Sequence, residues 1–583
     1  MAFRRHLGAR RGDVALGAWS VVLGILMLAP LAAPGYVLSY DMVVVPDQAL
    51  LPSSVGVSSA LPRAVPLDAV VAIVDDVVPA ALVQRLALFG VVVGAAWGAG
   101  RALPASSTPY RLVAASVYGW NAYVFERLVI GHWPVLIGYA LLPWLLIIAR
   151  RVRAGQPGAA AGGVLLAAVA AVTATGGILT STFFAALVLA PGGRQRRRTK
   201  LGVALALVAL QAPWIVPGLV RPQAAVSAAA GVEAFAARAD APSGLIGSLM
   251  TLGGIWNAGA VPGSRALMAS ALLSGVIVAL ALAGARELRR RMNRVEAVVV
   301  PVFAAGGLVL AAAGAVPGGR DVIEWLVTQV PGAGLVRDGQ KFLAWFALLL
   351  AMAAGHGTAR IVKAVCRPGT RAVPRLIACG AVLLPLAALP DLAAGAAGRL
   401  TPVQYPQSWA QTRTVLHESS APGDVVVLPF QPYRSFPWAD GRTVLDPAPR
   451  YFGVEPVVPD ALPVGGSVVP GEDPRARRID AALTAERPLA GLAAAGVGWI
   501  IVLRDTPGEV PGAVVAGARR VAHYDEVELF RVPGPIRPWT DVPPRGPIVA
   551  ANIVCLATLA VASVDLVRNA VLRRRRSIGS LVS

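Results

Sequence analysis

The chain has 583 residues, of which 56% are hydrophobic and 15% are charged, whereas soluble proteins carry about 25% charged residues. This composition excludes an ordinary soluble domain and indicates an integral membrane protein. The net charge of +21 would suit a nucleic-acid partner, but the basic residues are grouped between apolar stretches, which excludes that interpretation.

Apolar stretches that are long enough, or nearly so, to cross a bilayer occur along most of the chain. They lie at 13–34, 80–100, 109–125, 128–149, 157–175, 177–190, 201–220, 266–285, 295–315, 341–359, 373–392 and 546–567. One basic cluster, at 4–11, precedes the first stretch, and the others follow alternate stretches, at 101–111, 150–153, 194–200, 286–294, 360–375 and 568–576. The positive-inside rule therefore predicts a multi-pass plasma-membrane protein of about 12 spans with both termini in the cytoplasm.

The first apolar stretch, Val14 to Leu31, is longer than a typical signal-peptide core and lacks a small-x-small cleavage site. It is therefore predicted to be a retained span. Asp41 and Asp47 follow it in the first outer loop. Carboxylates at the mouth of a membrane cavity are frequently functional, although both residues can also be solvated loop positions.

Between Leu61 and Val78 the same loop predicts an amphipathic helix on the outer membrane surface, because acids interrupt an apolar sequence at helical spacing. Asp75 and Asp76 are further candidate acids of the site. They can equally form the solvated face of this helix, or the first turn of the next span, where carboxylates suit the helix dipole.

Two later outer turns carry positive charge, although the positive-inside rule favours basic residues on the cytoplasmic side. Glu126, Arg127 and His132 lie among Trp and Tyr residues, which an interfacial aromatic belt would explain. Arg337 and Lys341 are four residues apart at the start of a span and share one helix face. The four cations are candidate ligands of a lipid phosphate, and Glu126 is an additional candidate acid. Snorkelling of Arg337 and Lys341 is the alternative.

A small outer α/β domain is predicted over 393–545, followed by a last span and a basic cytoplasmic tail at 546–583. Helices are predicted at 407–416 and 481–495, and strands at 424–429, at 499–503 and, as a pair, within 522–532. Its aromatic residues either form a core or stack on sugar rings; they are Tyr433, Phe436, Trp438, Tyr451 and Phe452.

Motifs of other enzyme classes are not found in this domain. It contains no Gly-rich phosphate loop, no Ser-His-Asp arrangement and no zinc motif. The chain has three cysteines, Cys366, Cys379 and Cys555, which are too scattered for a disulfide framework or a thiolate metal site.

Three short regions resemble a known family: Asn121–Arg127 with Gly131–Trp133, Gly138–Trp144, and Pro331–Gly332 with Arg337–Phe342. Together with the acidic first loop, the surface helix and the outer domain, they are similar to the membrane part of GT-C glycosyltransferases of actinobacterial envelopes, the arabinofuranosyltransferase D family. The resemblance implies a polytopic α-helical, GT-C-like domain over 1–392 whose active-site loops lie outside the cell.

The resemblance also implies a reaction. A sugar, arabinofuranose or mannose, would pass from a polyprenyl-phosphate donor to an envelope polysaccharide or glycolipid. The base would be an acid of the first outer loop, for which Asp41 matches best by position and Asp47 second. Such chemistry needs a base for the acceptor hydroxyl and cations for the departing phosphate.

Metal is not required by this scheme; a divalent cation is optional, and no metal ligands are predicted. The expected partners are the lipid-linked donor, the glycan or glycolipid acceptor and membrane lipids, without nucleic acid. The alternative function is that of a non-catalytic envelope assembly protein, or of a lipid or glycan transporter, with a degenerate GT-C body.

Overall fold

The computed structural model describes residues 2–59, 61–104, 106–221, 226–366, 372–464 and 467–582. Arg367 and Arg371, which belong to the predicted basic cluster at 360–375, lie outside these residues. The helices up to residue 392 are α1 (Ala2–Leu28), α2 (Leu67–Asp75), α3 (Ala80–Ala102), α4 (Thr108–Gly119), α5 (Ala122–Val129), α6 (Trp133–Arg153), α7 (Ala159–Ala170), α8 (Ala174–Leu189), α9 (Arg197–Ala209), α10 (Ala212–Leu219), α11 (Ala230–Ala234), α12 (Gly244–Met250), α13 (Met268–Arg291), α14 (Glu296–Ala313), α15 (Gly319–Gln329), α16 (Leu343–Val365) and α17 (Ala372–Ala388).

The described residues after 392 add short helices, ten strands and one long terminal helix; with β1 in the first loop, the described residues form eleven strands. The helices are α18 (Ala393–Gly398), α19 (Gln407–Glu418), α20 (Ala448–Tyr451), α21 (Pro474–Leu483), α22 (Pro488–Ala494), α23 (Gly512–Gly517) and α24 (Arg545–Val582). The strands are β1 (Tyr36–Val37), β2 (Pro402–Val403), β3 (Asp424–Leu428), β4 (Tyr433–Ser435), β5 (Thr443–Leu445), β6 (Pro456–Val457), β7 (Leu462–Val464), β8 (Ser467–Val469), β9 (Val497–Leu503), β10 (Arg519–His523) and β11 (Val527–Arg531).

Seven helical segments of the described chain are long and apolar enough to cross a membrane: Arg10–Ala32, Ala80–Ala102, Trp133–Arg153, Met268–Arg291, Glu296–Ala313, Gly339–Val365 and Arg545–Leu572. Two bent pairs, α9 with α10 and α17 with Pro390–Gly398, raise the number to nine if each is one span. The predicted stretches 109–125, 157–175 and 177–190 correspond to α4, α7 and α8, which have 12, 12 and 16 residues. A straight span needs about 20 residues, so the predicted number of twelve is not confirmed.

The helix α16 lies in the middle of the bundle, with 89% of its apolar window buried, against 17% for the peripheral α24. Its neighbour α13 comes within backbone contact. A Cβ on Gly284 would lie 2.0 Å from the carbonyl oxygen of Ala353, and one on Gly357 would lie 1.7 Å from that of Leu280. Small residues allow such close packing, which supplies the dispersion contacts that hold helices together in lipid. The middle and later part of α16 is thereby fixed against α13.

Basic residues of several helices meet at one end of the bundle. Arg111 pairs with Asp13, and Nε of Arg150 donates to Glu296 over 2.8 Å. The backbone N–H of Arg194 donates to the carbonyl of Arg153 over 2.7 Å. This grouping agrees with the alternation that the charge pattern predicts. Which side of the membrane this end faces stays a prediction.

The α/β domain is built on a five-stranded sheet with the order β10-β11-β9-β3-β6. The strand β3 runs parallel to β9 and β6, whereas β11 is antiparallel to β9 and β10. Side chains of β3 alternate between two cores, with Val425 and Val427 in one and Val426 and Leu428 in the other. Both faces of the central strands are therefore covered, as their continuous apolar sequences require.

Most of the elements predicted in this domain occur close to their predicted positions. The helix at 407–416 is α19, and the strands at 424–429 and 499–503 are β3 and β9. The pair within 522–532 is the hairpin of β10 and β11. The helix predicted at 481–495 is instead two helices, α21 and α22, because Pro488 begins a new helix after a short break.

The first outer loop is part of the α/β domain. Its strand β1 pairs with β2, and the side chains of Leu38, Val43 and Val45 lie in the same core as Trp409. The backbone of Tyr40 bonds with the strand β5 through Thr443 and Leu445, at 2.8 Å for each hydrogen bond. The predicted division at residue 392 therefore does not separate this loop from the outer domain. The amphipathic helix predicted in the loop is α2. Its Ile73 side chain is exposed, as is that of Val77 just after the helix ends.

Candidate active site

The short helix α5 begins and ends with recognisable caps. The Asn121 side chain caps its start by accepting from the N–H of Val124 over 3.1 Å. At its end Gly131 has a φ of +84°, and the N–H of His132 donates to the carbonyl of Arg127 over 2.8 Å. These are the bonds of a Schellman motif. The motif turns the chain back so that His132 lies beside Arg127.

The turn at Gly131 holds the loop that carries Asp41. The N–H of Asp41 donates to the carbonyl of Ile130 over 3.1 Å, and the Ser39 hydroxyl donates to the carbonyl of Val129 over 2.5 Å. A Cβ on Gly131 would lie 2.1 Å from the backbone nitrogen of Met42. Only glycine permits both this approach and the positive φ. The loop that follows α1 is thus fixed onto the end of α5 and the turn after it.

The carboxylate of Asp41 is held by two side chains from distant parts of the sequence. Its Oδ2 lies 3.1 Å from Nε2 of His132, and its Oδ1 accepts a hydrogen bond of 2.5 Å from the Tyr433 hydroxyl. Burial acts to raise the pKa of Asp41, but these two contacts and the charge of Lys341 lower it below its usual value. The side chain is 37% exposed. Asp41 is therefore an ionised carboxylate that a molecule from outside can reach.

The contacts of His132 determine its tautomer. Its Nδ1 lies 2.8 Å from Nη1 of Arg127, and a guanidinium can only donate, so Nδ1 is the acceptor. The ring proton is then on Nε2 and points at Asp41. Burial lowers the pKa of His132, and the charges of Lys341 and Arg127 lower it further. The imidazole is neutral at neutral pH and donates to Asp41.

Arg127 is fully buried and paired with Asp338. Nη1 and Nη2 donate to the two carboxylate oxygens of Asp338 over 2.8 and 3.1 Å, and Nη2 also contacts Gln340. Burial acts to raise the pKa of Asp338, but the guanidinium of Arg127 and the ammonium of Lys341 hold it well below its usual range. Because the side chain of Arg127 is 0% exposed, its guanidinium is neutralised by Asp338 and cannot contact a ligand.

Glu126 is linked to Arg127 through the side chain of Gln340. Its Oε2 accepts from Nε2 of Gln340 over 2.8 Å, and its other oxygen faces Asp240. Burial raises the pKa of Glu126 well above its usual value, and the charge of Asp240 raises it further. Asp240 is itself bound by Nη2 of Arg265 over 2.7 Å. Glu126 is therefore protonated, so it is a neutral part of the support under Arg127.

Three cations lie in the region of Asp338, Tyr433 and Asp41. The charge of Lys341 acts on Asp41, whereas Arg337 lies 3.7 Å from Glu472 and Arg63 lies 3.2 Å from Asp460. Nζ of Lys341 lies 3.6 Å from Asp338 and its side chain is 19% exposed. The guanidinium of Arg337 lies over the ring of Phe235, 4.7 Å from its centroid. Arg63 is close enough to lower the pKa of both Tyr433 and Arg337 by its charge, although burial is the larger influence on each. These positive groups suit an anionic ligand next to a carboxylate.

The other candidate acids lie elsewhere. The side chain of Asp47 is 86% exposed and lies 3.8 Å from Arg413 on α19. Asp75 accepts a 2.8 Å hydrogen bond from the backbone N–H of Gln48, which ties the loop to α2. Asp76 is exposed at the end of α2. The structure thus brings together Asp41, Glu126, Arg127, His132 and Lys341, with Arg337 nearby, and separates Asp47, Asp75 and Asp76 from them.

Several contributors were not singled out from the sequence. Asp338 and Gln340 stand between Arg337 and Lys341, and the alternation of charges there is a signal for an ion-pair network. Tyr433 was assigned only to a core or a sugar-stacking surface. Nothing local to Tyr433 or Arg63 indicates contact with Asp41, because 392 residues separate Tyr433 from it.

Among the described residues, no group of three or more His, Cys, Asp and Glu side chains lies close enough to hold a metal ion. The oxygens of Asp41 are engaged by hydrogen-bond donors and face cations. That an added divalent cation is optional stays a prediction.

The fold and the site define a class: a polytopic helical membrane protein with an α/β domain, whose first extramembrane loop presents a carboxylate at the junction of the two. No protein-family model and no curated protein matches the chain.

Solved structures do match. The chain is similar to the cryo-EM structure of the arabinofuranosyltransferase AftD from Mycobacteria, with a TM-score of 0.58 and 19% identity over 91% of this chain. A mutant of the same protein gives a TM-score of 0.55 and 17% identity over 90% of this chain. The chain covers 40% and 42% of those longer chains. The fold expected from the sequence resemblance is therefore confirmed, and identities this low establish the fold alone.

Proposed function

We propose that this chain is a membrane glycosyltransferase of GT-C type. The observation that carries the proposal is the setting of Asp41: an ionised, partly exposed carboxylate that is oriented by His132 and Tyr433 and lies near the ammonium of Lys341. A glycosyl transfer from a lipid phosphate needs this combination of a base and cations within one site.

Asp41 is the general base in this proposal. Its free oxygen lone pairs accept the proton of the acceptor hydroxyl as that oxygen bonds to the anomeric carbon of the sugar. The bond between that carbon and the phosphate oxygen breaks, and the lipid phosphate leaves with its electron pair. His132 and Tyr433 do not transfer the proton. They hold the carboxylate in one orientation by donating to it.

Lys341 and Arg337 stabilise the departing phosphate. Lys341 lies near Asp41, and 19% of its side chain is exposed. Arg337 lies near Asp338 and Glu472, and 21% of its side chain is exposed. Arg63 is a third candidate for this role. Arg127 and His132 are predicted from the sequence as phosphate ligands, but their contacts favour another role. His132 contacts Asp41 directly and Arg127 contacts His132, so the two residues orient Asp41.

The donor proposed is a polyprenyl-phosphate sugar and the acceptor an envelope glycan or glycolipid, on the outer face of the plasma membrane. Arabinofuranose is the first candidate sugar, because the similar solved structures are of an arabinofuranosyltransferase, and mannose is the second. Neither a cofactor nor nucleic acid enters this reaction.

The test uses two isosteric substitutions in the same loop. Asp41→Asn removes the base, which typically costs about 10²–10⁴-fold in rate. Asp47→Asn changes the same charge at an exposed position and should retain the wild-type rate. Sugar transfer is measured in membranes with radiolabelled polyprenyl-phosphate arabinose and mannose. If the wild type transfers neither sugar, the catalytic function is refuted and the non-catalytic alternative is supported. If Asp41→Asn transfers at the wild-type rate, the base is another residue.

The role of Lys341 is tested separately, by steady-state kinetics with varied donor. Lys341→Ala should raise the KM for the donor and lower kcat, because the ammonium contacts the phosphate before and during bond breaking. Lys363→Ala, near the other end of α16, is the matched control and should leave both unchanged. Equal kinetics in the two variants would remove Lys341 from the donor site.

A further inference from the structure

A second polar cavity lies at the base of the α/β domain, where it meets the last helix. It holds about 270 Å³, close to the lower end of the range of about 300–1,000 Å³ typical of small-ligand sites. Its wall includes the polar side chains of Asp424, Glu455, Arg475 and Arg545, and the indole of Trp539. None of these residues belongs to the network around Asp41.

The cavity lies at the opposite edge of the sheet from Tyr433. Asp424 begins β3 and Gly496 directly precedes β9, so the cavity lies at the amino ends of these two parallel strands. Tyr433 follows the carboxyl end of β3. Five residues of strand extend about 16 Å, so one sugar ring cannot contact both places.

The buried part of the cavity wall is preorganised. Arg475 is 97% buried, since 3% of its side chain is exposed, and its Nη2 donates to Asp424 over 2.6 Å. Nη1 of the same residue donates to the Ser59 hydroxyl over 3.2 Å, and its guanidinium lies 5.6 Å from the centroid of the Trp539 ring. The positions of the acid, the guanidinium and the indole are therefore fixed relative to one another.

Two groups at the cavity have hydrogen-bonding capacity left over. Oε1 of Glu455 is buried without a hydrogen-bond partner among the described residues, while its Oε2 accepts from Ser53 over 3.3 Å. Arg545 makes no hydrogen bond or ion pair with any described part of the chain. A buried carboxyl oxygen without a partner is costly, and a ligand hydroxyl would satisfy it.

The balance of charge selects the ligand. Two acids and two guanidiniums line the cavity, so a free anion would meet carboxylates and a free cation would meet guanidiniums. Vicinal hydroxyls of a sugar each donate and accept, and so match a wall of acceptors and donors without a net charge. The indole offers an apolar surface to the C–H side of the ring.

We propose that this cavity is a saccharide-binding site, separate from Asp41, that takes one uncharged sugar ring. The inference goes beyond the proposed function and does not depend on it, because binding here requires no catalysis. The ring can come from a glycan chain or from a glycolipid headgroup, since the cavity borders the start of α24. Both sources present the same hydroxyl chemistry.

The test measures binding to the full chain in phosphatidylcholine nanodiscs by ligand-observed NMR. The probes are methyl α-arabinofuranoside and methyl α-mannopyranoside, and nanodiscs containing a neutral glycolipid with the same sugar form the second arm. Trp539→Ala and Glu455→Ala should each raise Kd by at least about tenfold, equivalent to 1.4 kcal/mol. Trp325→Ala, on the exposed face of α15, is the control for loss of a tryptophan. Asp47→Asn, at an exposed position outside the cavity, should bind the probes as the wild type does.

The outcomes separate the two sources. Binding of the soluble glycosides indicates a glycan, and binding only in the glycolipid arm indicates a headgroup; either supports the site if Trp539→Ala or Glu455→Ala weakens it. If Trp539→Ala lowers the midpoint of thermal unfolding, its loss of binding can reflect a damaged fold. The binding affinity of Glu455→Ala then decides whether the cavity is the site. The proposal is overturned if the wild type binds neither form, if both variants bind normally, or if inorganic phosphate displaces the sugar.

Discussion

Arg127 donates to Nδ1 of His132 over 2.8 Å, and this contact leaves the proton of the imidazole on the nitrogen that faces Asp41. Asp338 holds Arg127 from the opposite side through both of its oxygens. A chain of four side chains thus runs from a buried ion pair to an exposed carboxylate. In the proposed mechanism, Arg127 and Asp338 are positioning residues that act on Asp41 through His132.

The stability and positioning roles of the ion pair can be separated. Asp338→Leu leaves a buried unpaired guanidinium and should destabilise the protein by about 3–5 kcal/mol. The double variant Arg127→Met with Asp338→Leu removes both charges and should recover much of the midpoint of thermal unfolding. Its rate of sugar transfer should stay low, because nothing then sets the tautomer of His132. Recovery of stability and rate together would show that the pair is structural only.

Tyr433→Phe tests the second donor to Asp41. Burial raises the pKa of Asp41 and the hydrogen bond from Tyr433 opposes it, so loss of the hydroxyl should raise that pKa. A base must be deprotonated to act, and the acidic limb of the kcat/KM profile should therefore move to higher pH. The rate above that limb should change little.

Tyr405→Phe is the matched control for this profile. Its hydroxyl donates to the carbonyl of Val44 over 3.1 Å and does not touch Asp41. The control should keep the wild-type pH profile. An unshifted profile in Tyr433→Phe would mean that Asp41 is not the group that titrates in kcat/KM.

Glu126→Gln should stabilise the protein above acidic pH. The folded state raises the pKa of Glu126, through burial first and Asp240 second, so the folded chain holds a proton that the unfolded chain releases above about pH 4.3. Wild-type stability therefore falls as pH rises past that value, and glutamine, which does not ionise, removes this dependence. The midpoint of thermal unfolding should rise at pH 8 and match the wild type near pH 4. Glu324→Gln, on the surface helix α15, should show no such difference, and a lower midpoint for Glu126→Gln at pH 8 would contradict the protonated state.

Gly131→Ala should disable the site while leaving the fold intact. A Cβ there would lie 2.1 Å from the backbone nitrogen of Met42, next to Asp41, and the residue has a φ of +84°. Gly332→Ala is the control, because Gly332 has a φ of +80° with nothing within 4 Å of its Cβ. Both variants bear the cost of the left-handed conformation, about 1–2 kcal/mol, but only the first displaces the Asp41 loop. Sugar transfer should be lost in Gly131→Ala and kept in Gly332→Ala. Equal rates in the two variants would show that the turn at Gly131 is not needed for catalysis.

The sequence by itself predicted the features that depend on local pattern. Apolar stretches indicated a membrane protein, and basic clusters indicated an alternating topology. Both signals are local, because insertion in lipid depends on the hydropathy of each segment and orientation depends on the basic residues next to it. The strands β3 and β9 followed from their β-branched residues. Asp41 was chosen because it follows the first span, and Lys341 because it precedes a later one; both lie at the site.

Only the tertiary structure decided how these pieces meet. Arg127 and Asp338 are 211 residues apart, and Asp41 and Tyr433 are 392 apart, so no local periodicity reports either contact. The sequence also could not distinguish Arg127, a buried cation neutralised by Asp338, from Lys341, which keeps an exposed face. That distinction depends on how deeply each cation is buried and on which acid it pairs with. Both are fixed by how the α/β domain packs against the first loop.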